Sequence, residues 1–511
     1  MDPPPKPAFA AGPVLLLAAI KLGLHLIVNE RTPYGIHRDE LLYLAMGRHL
    51  HLWRMDFPPA IAMVAEVSRA LLGESLVGLR FFPALFGAAI LVVAGATARE
   101  LGGGKIAQVL AGFCVLTSPL FLRAANLLQP VVMDQLIWAA LLYTLVRLCR
   151  GHGPGEWLLL GLLVGLGLLT KLTIAFIAIG VAAAVLLSPL REGRYSAWPW
   201  MALAIALVIG APSIVGQIRL GFPILGQMAD LRQSQLERMT PVAFLLGQLL
   251  WGPAVLLAIA GAVGLFRSPR MRPFRPVGWG IAVAFVLLLA GQAKPYYAGP
   301  LYPTLFAAGS VLLEQRAEGL KGEILQAVTV ALLFAFFLLV LPLGLPILPP
   351  LEMATYARSL GVAEAVRTNT GDVGSLPQDY ADMLGWKEQA EAVARVYRGL
   401  TPEQRERTVL VGGNYGEAGA LDFYGPRLGL PRVVSPAGSF WFFGPGERTG
   451  EVVVTLGVPA ESLRRFYDNV RTAGRVGHPW AVGEERGVPI NVGTGPRTTL
   501  QKVWPSLAGR N

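Results

Sequence analysis

Two adjacent carboxylates, Asp39 and Glu40, stand in the run Tyr34-Gly-Ile-His-Arg-Asp-Glu-Leu-Leu-Tyr43, just beyond the first apolar stretch of the chain. His37 and Arg38 precede them, and Tyr43 follows Asp39 by one helical turn, on the same face. A carboxylate in such a setting can take a proton from a hydroxyl as a general base. A helix N-terminus favours acidic residues and would by itself account for one of the two. The helix dipole and Arg38 would depress an aspartate's pKa, whereas burial would raise it.

A second set of residues is cationic. Lys171 lies between two glycine- and leucine-rich apolar runs, where an ammonium is costly. Lys294 precedes Pro295, Tyr296 and Tyr297 at the edge of another apolar run. Each has a plain structural reading, a snorkelling span end for Lys171 and an aromatic-belt anchor for Lys294. Read together, they are two cations able to compensate a phosphate or pyrophosphate near the bilayer surface. Asp134 lies slightly inside an apolar run, after Gln129-Pro130; it must face protein and needs a basic partner, for which Arg123 is the candidate. Arg80 reads as a helix-end anchor. His49, His51 and Asp56 could join Asp39 around a divalent metal ion, with Asp39 its first ligand, but their spacing follows no standard ligand pattern. The phosphate-cradling G-x-x-x-x-G-K-[ST] loop, G-x-G-x-x-G, G-x-S-x-G and H-E-x-x-H are all missing, which argues against soluble nucleotide chemistry.

What must position these residues is a membrane domain. Only 15% of the 511 residues are charged and 53% are hydrophobic, where a soluble protein carries roughly 25% charge. Mean hydropathy is +0.51, and many glycines and prolines sit inside apolar runs, as membrane helices tolerate. About eleven spans are expected, near 13–29, 78–98, 106–122, 131–148, 157–170, 172–189, 198–215, 242–266, 277–292, 297–316 and 324–341. The first is expected to remain as a span rather than to be cleaved as a signal peptide. Cys114 and Cys149 fall in or beside spans and read as small hydrophobes.

Arginines and lysines recur in every second connection: Arg99 and Lys105, Arg147 and Arg150, Arg191 and Arg194, Arg267 to Arg275, Arg316 and Lys321. Short positive loops stay cytoplasmic, so the N-terminus is expected inside and everything after about residue 345 outside. The net charge of +11 is then a topology signal, and no nucleic-acid partner is implied. Residues 1–345 are expected to form the membrane domain, with 30–77 as a first outer loop holding two amphipathic interfacial helices separated by Pro58-Pro59. In 350–511 charge returns. Strands are expected at Thr408–Gly412, Arg432–Val434 and Glu451–Leu456, with helices at Glu417–Tyr424 and near Ala460–Val470, making a small extracytoplasmic α/β domain with a partly parallel sheet.

The run Tyr34 to Leu50, with Asp56-Phe-Pro-Pro59, resembles the first outer loop of bacterial dolichyl-phosphate-mannose-protein-mannosyltransferase-like glycosyltransferases, membrane enzymes of the GT-C fold. Leu168-Leu-Thr-Lys171, Lys294-Pro-Tyr-Tyr297 with Pro300-Leu-Tyr-Pro303, and Asn414-Tyr-Gly-Glu-Ala-Gly-Ala-Leu-Asp-Phe-Tyr-Gly425 extend the resemblance from about residue 30 to about residue 445. It implies a polytopic enzyme of the inner (plasma) membrane that transfers a sugar, with inversion, from a polyprenyl-phosphate donor to a lipid, glycan or protein acceptor on the outer face. It further implies Asp39 as general base supported by Glu40, and Lys171, Lys294, Tyr297 and Arg123 toward the donor phosphate. His37, Tyr43, Asp56 and Asp134 would line the substrate cavity. Metal use differs among such enzymes, so the motif leaves that question open. A transporter or flippase would instead place its charges at mid-bilayer in repeated halves, and no repeat is visible. A structural or assembly protein would leave Asp39, Glu40 and the lysines unexplained.

Overall fold

A computed structural model describes residues 3–190, 196–316, 319–361 and 374–507; Arg191 and Arg194 of the expected cytoplasmic loops lie outside these. All eleven expected spans fall on helical segments. Among the described residues six helices are long and apolar enough to cross a membrane: Ala11–Arg31 (α1), Phe81–Glu100, Pro130–Cys149, Trp198–Arg219, Pro269–Ala290 and Gly319–Gly344. The others are short or broken, so eleven counts helical segments and not full-length crossings. Ser118 is extended ahead of Pro119 and divides 106–122 into Lys105–Thr117 and Pro119–Ala124. The 242–266 stretch bends by 112° between Pro241–Trp251 and Ala254–Arg267.

Broken helices leave carbonyls without intrahelical partners, and in lipid these must be satisfied by protein. Two ionisable residues inside α1, unremarked in the sequence, meet that need. Lys21 donates to the Phe121 carbonyl at 3.2 Å, and His25 Nε2 lies 3.0 Å from the Leu122 carbonyl, both in the last turns of Pro119–Ala124. Small residues set the helix crossings. A Cβ on Gly309 would come within 2.0 Å of the Leu257 carbonyl, and one on Gly261 within 2.2 Å of the Leu305 carbonyl, so the two helices meet backbone to backbone.

The loops sort into two ends. At one end Arg150 pairs with Glu100, Lys6 with Glu100, Arg147 with Glu156, and Glu314 accepts from the Gly104 N–H. At the other, the 30–77 segment, the Arg123–Gln129 turn, Lys171 and Lys294 to Tyr297 gather beneath the C-terminal region. These are the two loop sets that charge alternation separated.

Within 30–77 the helices are Arg38–Arg48 (α2) and Ala60–Leu72 (α3). The expectation of two interfacial helices fails for α2, where every residue from Glu40 to Gly47 is buried. Its cover is the C-terminal helix Tyr415–Tyr424, whose Gly416 and Gly419 form a bare face. A Cβ on Gly419 would come within 2.7 Å of the Leu41 Cβ, and one on Gly416 within 2.8 Å of the Arg38 Cγ.

The C-terminal region carries a five-stranded sheet in the order β2-β1-β3-β5-β4. Its strands are β1 (Thr408–Gly412), β2 (Val433–Val434), β3 (Val452–Leu456), β4 (Tyr467–Val476) and β5 (Val488–Pro496). The first three are parallel; β5 runs antiparallel to β3 and to β4. The helix expected near Ala460–Val470 is corrected to one turn, Ala460–Leu463, followed by β4. β4 is an exposed edge with no apolar alternation, so its register, Tyr467 opposite Pro496 to Val476 opposite Val488, comes from its partner.

Because α2 and the Tyr415–Tyr424 helix touch through glycine, Gly419→Val must force them apart. The expected cost is about 1–3 kcal/mol, read as a lowered thermal midpoint of the full chain in detergent; an unchanged midpoint would show that the contact yields freely.

Candidate active site

Asp39 is in the first turn of α2, and His37 caps that helix. The His37 Nδ1 accepts from the Asp39 N–H at 3.1 Å, and Glu40 Oε2 accepts from the His37 N–H at 2.8 Å. This reciprocal cap directs the two carboxylates to different places. Glu40 turns inward and is fully buried. It accepts from Arg80 Nε and Nη2, both at 2.8 Å, and from the Leu128 N–H at 2.8 Å. Burial would raise its pKa, but the Arg80 guanidinium and these N–H donors hold it below the usual glutamate value. A carboxylate so saturated is a positioning group with no free lone pair for a substrate.

Asp39 turns away from Arg80 and is half-buried. Its Oδ2 accepts from Gln129 Nε2 at 2.9 Å and its Oδ1 from the Tyr415 hydroxyl at 3.0 Å. Tyr415 comes from the C-terminal region, and burial with the Asp39 charge pushes its hydroxyl well above the usual phenol value. Arg38 lies 4.7 Å over the Tyr415 ring and pairs with Glu484, while its own N–H donates to the Asp382 carbonyl at 3.0 Å. His37 Nε2 stands 3.9 Å from Asp379 and 4.0 Å from Asp382, ion-pair distances too long for hydrogen bonds. Burial alone would lower the imidazole; the carboxylates of Asp379, Asp39 and Asp382 outweigh it and raise His37 to about 9, so the cap to the Asp39 N–H belongs to the neutral ring and is given up when the ring is charged.

The cationic half sits at two helix breaks. The chain is extended at Lys171, where Pro154–Thr170 ends, and Lys294 precedes the tight turn Pro295–Leu301. Lys171 Nζ lies 4.2 Å over the Tyr297 ring and 6.0 Å from that of Tyr296. Lys171, Tyr296, Tyr297, Asp134, Gln135 and Pro300 wall a small cavity. Burial holds the Lys294 ammonium below the usual lysine value, against the raising influence of Tyr297, Asp379 and Asp39, while Lys171 lowers it further. Burial, Asp39 and Tyr297 push the Tyr43 hydroxyl up. Asp39, Tyr43, Lys171, Lys294 and Tyr297 therefore share one electrostatic neighbourhood.

Other expectations are corrected. Asp134 accepts from the Thr173 hydroxyl at 2.9 Å and has Lys171, not Arg123, as its cation. Arg123 pairs with Asp379, whose carboxyl it holds well below the usual aspartate value although burial opposes it. Asp56 accepts from the Ser439 hydroxyl at 2.8 Å, and burial raises it to about 6. His49 stacks on Phe443 at 4.5 Å. Among the described residues no three His, Cys, Asp or Glu side chains form a metal-binding group. Sequence reading missed Arg80 as the partner of Glu40, Gln129, Asp379 and Asp382; only Arg80, an arginine opening an apolar span, carried a sequence signal.

The family model described as dolichyl-phosphate-mannose-protein mannosyltransferase matches residues 56–215. No curated protein sequence is significantly similar. Among solved structures, ArnT from Cupriavidus metallidurans in the apo state is 16% identical with a TM-score of 0.63, covering 99% of this chain and 100% of that one. The same protein bound to undecaprenyl phosphate has a TM-score of 0.59 at 16% identity, covering 98% and 100%. The Archaeoglobus fulgidus oligosaccharyltransferase in the apo form has a TM-score of 0.51 at 13% identity, covering 87% of this chain and 69% of that one. The GT-C fold and the resemblance to the mannosyltransferase family are thus both borne out.

Two outcomes follow from the geometry. Arg80→Met strands a buried carboxylate and should cost about 3–5 kcal/mol, whereas adding Glu40→Gln should recover much of it; thermal unfolding of both variants checks this. His37 sits above its ordinary value, so its stabilising contribution is complete below about pH 6.5 and is lost as pH rises through about 9. The thermal midpoint of the wild type should therefore fall relative to that of His37→Gln across that window, and parallel curves would remove His37 from the ion-pair network.

Proposed function

We propose that this multi-pass membrane protein, which has the fold of ArnT, is a glycosyltransferase. It moves a sugar from a polyprenyl-phosphate donor to an acceptor hydroxyl at the outer face of the membrane, with inversion. The observation that carries the reading is a half-buried carboxylate, Asp39, acting on the Lys294 ammonium, which has Lys171 and Tyr297 as neighbours, at an end of the helix bundle where backbone is broken and polar.

The residues divide the reaction between them. Asp39 takes the proton of the acceptor hydroxyl as its oxygen bonds to the anomeric carbon. The bond from that carbon to the phosphate oxygen breaks, and its electron pair leaves with the polyprenyl phosphate. One displacement inverts the anomeric centre and needs a single base on the attacking side. Lys171 and Lys294 stabilise the charge that develops on the leaving phosphate, more strongly because the site is poor in water. Gln129 orients Asp39 through one oxygen, leaving the oxygen that meets Tyr415 to face the acceptor. Glu40 holds this turn through Arg80. The outer-face placement rests on the arginine-rich loops being cytoplasmic. The acceptor is a lipid, glycan or protein hydroxyl.

The test uses purified protein in bilayers with a panel of radiolabelled polyprenyl-phosphate sugars and membrane acceptors. Wild type should transfer label, and Asp39→Asn should be slower by about 10²–10⁴-fold with donor binding kept. Lys171→Ala should weaken donor binding. Full activity in Asp39→Asn would remove the base, and unaltered donor affinity in Lys171→Ala would remove the phosphate contact.

A further inference from the structure

The sheet of the C-terminal region is covered unequally. One face, with Leu410, Val452 and Val454, joins the main core under the helices Trp386–Arg398 and Tyr415–Tyr424. The other face carries Val409 and Val434, packed with Trp504, and separately Val453, packed with Leu463 and Tyr467. These are two small clusters where a parallel sheet ordinarily has a second helical layer. In its place, among the described residues, lie short turns: Leu500–Val503 and Trp504–Leu507, with Ser439–Phe442 and Ala460–Leu463 at the margins. They are pinned at their margin: Trp441 and Trp504 exchange indole-to-carbonyl hydrogen bonds at 3.1 Å, and the Leu500 N–H donates to the Thr449 carbonyl at 2.9 Å.

Between the two clusters is a cavity of about 350 Å³, floored by Val411, Val453 and Thr455 and walled by Leu463, Phe466 and Leu507. It reaches the carboxyl ends of β1 and β3, where open α/β sheets take their ligands, and its size falls within the range of small-molecule sites. Two polar groups on it are unanswered. Thr455 is 1% exposed and its hydroxyl has no hydrogen-bond partner. Arg465 also lines the cavity, is exposed, and its guanidinium makes no ion pair or hydrogen bond among the described residues.

We infer that this cavity is a binding site for an anionic amphiphile, a single alkyl chain carrying a phosphate or carboxylate head. The chain fills the gap between the clusters, the Thr455 hydroxyl bonds an oxygen of the ligand, and Arg465 pairs with the head at the mouth. A mostly apolar lining of aliphatic and aromatic side chains with one unpaired cation selects against neutral alcohols and alkylammonium ions. The site stands on the far face of the sheet from α2 and is independent of the reaction proposed above.

The experiment photolabels the full chain in lipid nanodiscs with a diazirine-bearing decyl phosphate and maps the adducts by mass spectrometry. Label is expected on the peptides containing Val453 to Tyr467 and Thr498 to Leu507. Decanoate should compete, and decanol or decyltrimethylammonium should compete about tenfold less well. Arg465→Ala, on the surface, should remove the preference for anions, and Thr455→Val should reduce labelling by the decyl phosphate and competition by decanoate without lowering the thermal midpoint. Phosphate and carboxylate competing equally would assign the site to the shared charge, and a gap between them would name the head. Adducts confined to the membrane helices, or equal competition by the alcohol and the cation, would overturn the proposal.

Discussion

The ion pair between Glu40 and Arg80 is the contact on which the end of the molecule that holds the candidate site depends. Two buried charges are costly to desolvate, and they hold together because every strong hydrogen-bonding direction is used. Arg80 also donates to Asn29 of α1 at 3.1 Å and to the Gly35 carbonyl at 3.1 Å. Glu40 gathers the Leu128 and His37 N–H groups. Four separate pieces of chain are thereby tied at one point. The residue beside Glu40 is Asp39, so the same tie that closes the loop turns the proposed base away from Arg80.

The helices around that point are interrupted where the site lies. Lys171 and Lys294 both stand in non-helical backbone next to apolar helices, and each leans on tyrosine or carboxylate neighbours. Irregular backbone at membrane depth is tolerated where protein or a polar cavity satisfies it, so the breaks and the charges belong together. Lys21 and His25 do the complementary work deeper in α1, satisfying carbonyls of the broken Pro119–Ala124 turn. Their presence shows that not every intramembrane charge marks chemistry; some keep a short helix end from being orphaned.

The C-terminal region completes the site. Tyr415 reaches Asp39, Asp379 neutralises Arg123, and Asp379 with Asp382 flanks His37. These contacts join residues more than 250 positions apart. They are possible because Gly416 and Gly419 let the Tyr415–Tyr424 helix lie directly on α2. A helix expected to rest in the membrane interface is instead a buried partition between the membrane bundle and the sheet.

Much of this was legible in the sequence. Each of the eleven apolar runs fell on helical segments, arginine spacing separated the two sets of loops, and the residues Asp39, Lys171, Lys294 and Tyr297 stood out as polar groups in apolar surroundings. These signals are local, because a span, a positive loop or a misplaced charge is readable within about twenty residues. The roles of adjacent Asp39 and Glu40 could not be separated that way. Nor could the partners Gln129, Tyr415 and Asp379, the strand β4, or the cover over α2. Each depends on which distant segment supplies a donor, a ladder or a bare glycine face. The sequence by itself determined that a membrane bundle would hold these charges at one end; the tertiary structure decided which carboxylate is locked in a buried ion pair, because only packing determines which one finds its arginine.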